Sequence, residues 1–173
     1  MTAWDFAQEY WAAWMLWGLI ASAGMATLME GAQLGGFSRM SLPFLFGTFL
    51  TNDRRHAIVA GYVAYLLGGW AFAFVYALVL GSFAGLGLWA LTGIGLLTGL
   101  FHGAFLVTVF LNVLPFVHPR LATEYDGANA TGRIEPPGAF GLNYGRATPA
   151  VTVGAQAIYG LVMGLGYGLA LVQ

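Results

Sequence analysis

Two ionisable residues, Glu30 and His102, interrupt stretches of sequence that are otherwise almost wholly apolar. A carboxylate or imidazole in such surroundings is expensive unless it has a partner, a proton or water. Together they suit a hydrogen-bonded or ion pair, or proton transfer, and His102 alone offers a nitrogen for axial ligation of a haem or chlorin. The structural pair is the economical reading, because two groups make a bridge but no continuous relay. A second histidine at depth is missing: His56 and His118 adjoin Arg54-Arg55 and Pro119-Arg120, which puts them at an interface. No cofactor and no metal site is therefore expected.

Other chemistry is sparse. Cysteine is absent, which removes disulfides, thiolate metal sites and cysteine nucleophiles. Serine, histidine and aspartate occur without a nucleophile elbow, and no phosphate loop, dinucleotide fingerprint or zinc-protease motif is present. An enzyme is the weakest reading. Asn112 and Gln156 are further polar positions, each read as bonding a neighbouring helix.

The elements that must position these residues follow from composition. Of 173 residues, 59% are hydrophobic and 8% charged, so lipid must be the solvent. Six arginines against seven acids give a net charge of −1, which supplies no basic field for nucleic acid. Four apolar segments, about 11–32, 57–80, 88–114 and 150–172, each reach the roughly 20 residues that cross a bilayer. The expected fold is an all-α membrane protein, a single domain over 1–173 built as a four-transmembrane-helix bundle. The short run 42–50 reads as an interfacial or re-entrant piece, and Thr51-Asn52-Asp53 as the cap of the second span.

All six arginines fall in the first and third connections: Arg39, Arg54 and Arg55, then Arg120, Arg133 and Arg146. Positive residues in short loops stay on the cytoplasmic side, so both termini are expected outside, N-out and C-out. Asp5 and Glu9 in the N-tail fit this start and argue against a cleaved signal peptide. Trp4, Trp11, Trp14 and Trp17 form an outer aromatic belt, with the first dozen residues lying on the surface as a helix. The location expected is a bacterial inner (cytoplasmic) membrane, multi-pass, with the basic loops cytoplasmic.

Residues 17–44 align with 89–116, with nine of 28 positions identical, among them Trp17 with Trp89 and Leu42-Pro43-Phe44 with Leu114-Pro115-Phe116. This register suggests a duplicated helical hairpin and sets Glu30 opposite His102. Both lie 13 residues past their tryptophan, roughly 20 Å along a helix. Gly95, Gly99 and Gly103 on the third span, and Gly160, Gly164 and Gly168 on the fourth, recur at four-residue spacing. Each set makes a flat stripe for close helix packing, within the chain or between copies.

The third connection, about 116–149, is the one sizeable polar segment. Its residues His118, Arg120, Glu135, Asn143, Tyr144 and Arg146 lie among prolines and glycines that fix backbone angles, which suits an ordered docking loop. Its arginines are expected to pair with Glu124, Asp126 and Glu135, or to meet lipid phosphates or a partner. The strings His118-Pro119-Arg120, Glu135-Pro136-Pro137-Gly138 and Asn143-Tyr144-Gly145-Arg146-Ala147-Thr148-Pro149, with Gly47-Thr48-Phe49-Leu50-Thr51 and Asp53-Arg54-Arg55 before them, resemble a family of small, uncharacterised bacterial membrane proteins with four helices. That resemblance implies no activity.

Scarce chemistry beside abundant packing features leads to a functional expectation: a non-catalytic integral subunit or scaffold of a larger respiratory or photosynthetic complex. Its partners would be membrane lipid and other integral membrane subunits. The competing expectation is a small proton-coupled transporter or channel in which Glu30 and His102 titrate.

Overall fold

In the computed structural model, which describes residues 2–122 and 133–172, every regular element is a helix. The hydroxyl of Thr2 accepts from the amide of Asp5, and the Asp5 carboxylate accepts from the amide of Thr2 at 2.7 Å. This reciprocal cap starts α1 (Ala3–Glu9). The long α2 (Trp11–Leu34) runs out where Gly36 takes a positive φ of 75°. Ser41 caps α3 (Leu42–Gly47), with Pro43 in its first turn where no amide is needed. Asp53 accepts from the amide of His56 at 2.8 Å and opens α4 (Arg54–Gly81), a turn earlier than the apolar run itself begins.

After a short turn comes α5 (Leu88–Phe105), which passes through a π-helical turn (Leu106–Phe110) into α6 (Leu111–Val117). A π turn leaves carbonyls without their usual partners, and here the side-chain amide of Asn112 donates to Val107 O at 3.0 Å and Thr108 O at 2.9 Å. Asn112 thus serves its own helix through its amide nitrogen, while its Oδ1 accepts from the amide of Phe140, 28 residues on, at 3.4 Å. Pro115 sits inside α6, and the helix stops at His118, whose ψ of 122° is the extended conformation favoured before Pro119. A 3-10 segment (Ala139–Tyr144) precedes α7 (Thr148–Val172).

Four helical runs, Trp11–Leu34, Arg54–Gly81, Leu88–Val117 and Thr148–Leu171, are long and apolar enough to cross a membrane. The chain is a multi-pass helical membrane protein. It divides into two compact units. Unit 1 comprises Met1–Leu28, Leu66–Gly103 and Val153–Gln173, and its core holds Met25, Tyr76, Leu91, Tyr159, Met163 and Tyr167. Unit 2 comprises Met29–Tyr65 and Ala104–Thr152, built around Met40, Leu45, Ala57, Leu111 and Leu121.

Candidate functional site

Within unit 1 the approach of α5 to α7 is set by glycine. A Cβ on Gly95 would strike the carbonyl of Gly160, one on Gly160 the carbonyl of Gly95, and one on Gly99 the carbonyl of Gln156. A Cβ on Gly103 would lie 2.7 Å from Val153 Cα, and one on Gly164 would lie 2.5 Å from Leu91 O. At Gly168 a Cβ would come closest to the end of a side chain, Leu88 Cδ1, at 2.9 Å, with backbone no nearer than 3.6 Å. Backbone therefore lies on backbone for most of this seam, the close packing that holds helices together where lipid gives no hydrophobic drive. Other glycines in the unit, not singled out by spacing, act alone: Gly18 accommodates Ala73, Gly69 accommodates Ser22, and Gly166 accommodates the Trp17 ring.

This packing brings polar side chains inside. His102 Nδ1 lies 3.4 Å from the Tyr76 hydroxyl, and its ring rests on Phe72 with centroids 4.2 Å apart. Tyr76 meets Tyr159 edge to face at 5.1 Å, and the Tyr159 hydroxyl donates to Gly69 O at 2.6 Å. Gln156 Oε1, Trp70 Nε1 and the Tyr167 hydroxyl are buried without a hydrogen-bond partner among the described residues. Glu30, in unit 2, is exposed and joins no ion pair among the described residues. The partner recorded for His102 is thus Tyr76, a residue that the alignment of the two halves gave no reason to select.

Unit 2 positions the residues of the polar connection. His118 is 4% exposed. Its Nε2 lies 3.0 Å from Leu45 O and 3.2 Å from the Thr48 hydroxyl, which itself donates to Leu45 O, while Nδ1 accepts from the amide of Arg120 at 3.1 Å. That pattern fits a neutral ring with its proton on Nε2. The ring also sits against Phe49, with centroids 4.0 Å apart. Burial, and then the nearby Arg120 charge, lower the His118 pKa, against the raising effect of its bond to Leu45. The Arg120 guanidinium donates to Thr48 O and Asn52 Oδ1, so one His-Pro-Arg string clasps the end of α3 and the turn into α4. Below this clasp, α3 lies against α4 through Gly47, facing Ala57 O, and Gly61, facing Pro43 O.

The rest of the connection closes on the segment after α2. Arg39 pairs with Glu135 at 3.2 Å, its guanidinium donates to Asn143 O, and its amide donates to Tyr144 O at 2.6 Å. The Tyr144 hydroxyl donates to Glu135 O at 2.6 Å, and Asn143 Nδ2 donates to Pro136 O at 3.1 Å. Ser38 and Thr148 share a hydroxyl–hydroxyl bond of 2.9 Å. The backbone reaches this shape through positive φ at Gly138, Gly141 and Gly145, and at one non-glycine residue, Phe140 (φ 56°). Glu135 is therefore claimed by Arg39 of the first connection rather than by the loop's own arginines; Glu124 and Asp126 lie outside the described residues. Arg133 reaches back to Pro119 O. Arg146 is exposed and its side chain has no partner among the described residues.

Among the described residues no three His, Asp or Glu side chains stand close enough to hold a metal ion. No family model, curated protein or solved structure matches this chain.

Proposed function

We propose that this chain is a non-catalytic integral membrane subunit, held in a bacterial inner membrane with its arginine-bearing connections in the cytoplasm, that docks other integral subunits of a larger respiratory or photosynthetic assembly. The supporting observation is the way the polar connection spends its groups. Glu135, Asn143, Tyr144, His118 and Arg120 bond to the chain itself. Beside them, Phe140 (46% exposed) and Leu142 (46%) of this connection and Phe37 (63%) of the first connection are turned outward, together with the Arg146 side chain. A loop that binds a polar solute presents free donors and acceptors; one that bonds most of them to its own chain and shows aromatic and aliphatic groups beside an arginine suits a protein surface. Its fixed backbone reduces the ordering that docking costs.

The test pairs Phe140→Ser with Leu142→Ser in the native host. Purified in mild detergent, the wild type is expected to bring stoichiometric membrane companions, identified by mass spectrometry, and the double variant to lose them while eluting as a folded protein. A wild type that migrates alone, or a variant that keeps every companion, overturns the reading.

A specific observation supports a second reading, a proton-coupled carrier. The run of His102, Tyr76 and Tyr159, with unpartnered Gln156 and Trp70 atoms in the same unit, is a polar interior of the kind such pathways use. In proteoliposomes this predicts a proton flux that His102→Phe abolishes; an equal flux in that variant removes the carrier from consideration.

A further inference from the structure

We propose that the start of α4 is a binding surface for an anionic phospholipid, with Arg54 and Arg55 taking the headgroup phosphate and Ile58, Val59 and Val63 lying along an acyl chain. The distribution of arginines carries this. In unit 2, Arg39 is held by Glu135 and Asn143, Arg120 by Thr48 and Asn52, and Arg133 by Pro119. Arg54 and Arg55 are exposed, adjacent, and have no side-chain partner among the described residues.

The charges facing the pair leave it positive. Asp53, the carboxylate next to the pair in sequence, is already engaged: Oδ1 accepts from the amide of His56 and pairs with His56 Nδ1 at 2.9 Å. Two guanidinium groups against one occupied carboxylate suit a ligand with a net negative charge. The surface is also prepared before any ligand arrives. Asn52 Oδ1 accepts from Arg120, and Thr51 Oγ1 accepts from the amide of Asp53 at 3.2 Å, so the turn that aims the two arginines is fixed.

Beneath them the helix supplies the apolar half of the recognition. Ile58 stands four residues after Arg54 and Val59 four after Arg55, a spacing that stacks side chains on one face about 6 Å further along the axis. Val59 is 63% exposed and Val63, another turn on, 55%. A phosphate at the arginines thus sits directly above a lane of exposed branched aliphatic groups, the order of polar and apolar parts in a phospholipid. Free phosphate has no use for that lane, and a zwitterionic lipid brings a cation that offsets its own phosphate.

The probes are phosphatidylglycerol and phosphatidylcholine, added in equal amounts to the detergent-purified protein, with retained lipid read by native mass spectrometry. The wild type is expected to retain phosphatidylglycerol in several-fold excess, and added salt to reduce that excess. Arg54→Gln with Arg55→Gln should bring the ratio to about one, Arg54→Lys with Arg55→Lys should keep most of it, and Arg146→Gln, on another segment, should leave it unchanged. Should the double glutamine variant not accumulate, each single glutamine variant is read in its place, with a several-fold loss expected. The proposal is overturned if the glutamine variants retain the wild-type ratio, if the wild type holds both lipids equally, if Arg146→Gln lowers the ratio as much, or if inorganic phosphate displaces the bound lipid.

Discussion

A neutral imidazole whose two nitrogens are both committed resists a second proton, and His118 is such a group. Protonation would put a hydrogen on Nδ1, where the amide of Arg120 already points, and a positive charge beside the Arg120 guanidinium. Its folded pKa therefore lies below the ordinary 6.5. A depressed pKa means that the neutral form is favoured on folding, so the clasp stabilises fully above pH 6.5 and loses its contribution as the pH falls below that value toward the folded pKa. Thermal unfolding in detergent should accordingly drop between about pH 7.5 and about pH 5.5, and His118→Gln, which cannot be protonated, should flatten that dependence. An unchanged pH profile in the variant would place the acid sensitivity elsewhere. A second contrast isolates the neighbouring lock. Arg39 and Glu135 are both well exposed, so Glu135→Gln should cost less than about 1 kcal/mol, whereas the buried Tyr144 hydroxyl is bound at 2.6 Å and Tyr144→Phe should cost about 1–1.5 kcal/mol. Denaturant titration of both variants measures the difference. Much of this was beyond sequence reading. The Pro-Arg neighbours of His118 suggest a wet interface, but its acceptor belongs to Leu45, 73 residues earlier, and the cation for Glu135 is Arg39, in another connection.

At the scale of elements, the four spans were legible because twenty or more consecutive apolar residues admit little else. The fourfold glycine spacing on α5 and α7 pointed to close packing, and the helices do meet there. Spacing alone, however, does not tell a glycine against backbone from one against open space. Gly93 on α5 and Gly154 on α7 have nothing within 4 Å of a would-be Cβ, whereas Gly95, Gly99 and Gly160 would drive theirs into a facing carbonyl. Alanine at Gly95, Gly99 or Gly160 should therefore separate the helices at a cost of roughly 1–3 kcal/mol, while alanine at Gly93 or Gly154 should be neutral or stabilising by up to about 1 kcal/mol, through helix propensity. Thermal stability of the five single variants in one detergent checks the pattern, and uniform losses across all five would refute it. The π turn and the contact of α3 with α4 left no comparable trace. The first depends on one asparagine amide finding two carbonyls of its own helix, and the second on Gly47 and Gly61, which no single periodicity links.

For the whole molecule, the distribution of charge makes a statement about sidedness that needs no knowledge of partners. Every arginine lies between the first two spans, at the very start of the second, or between the last two, and none lies in the N-tail or the 82–87 turn. Retention of basic loops in the cytoplasm predicts that the 82–87 turn and both termini lie outside. The chain has no cysteine, so a single introduced thiol reports one position without background. Ser82 in the short turn and Ala139 in the polar connection are both exposed, and neither side chain holds another segment in place. In intact spheroplasts a membrane-impermeant maleimide should label Ser82→Cys and leave Ala139→Cys unlabelled until the membrane is opened. The reverse pattern would invert the protein and put the Phe37, Phe140 and Leu142 surface outside the cell, where it could serve no cytoplasmic docking. If both positions label in part, the six arginines fail to fix the insertion. Asp5→Arg with Glu9→Arg separates these cases: two cations added to the N-tail compete with the loop arginines, so labelling should shift from Ser82→Cys toward Ala139→Cys only if charge sets the orientation.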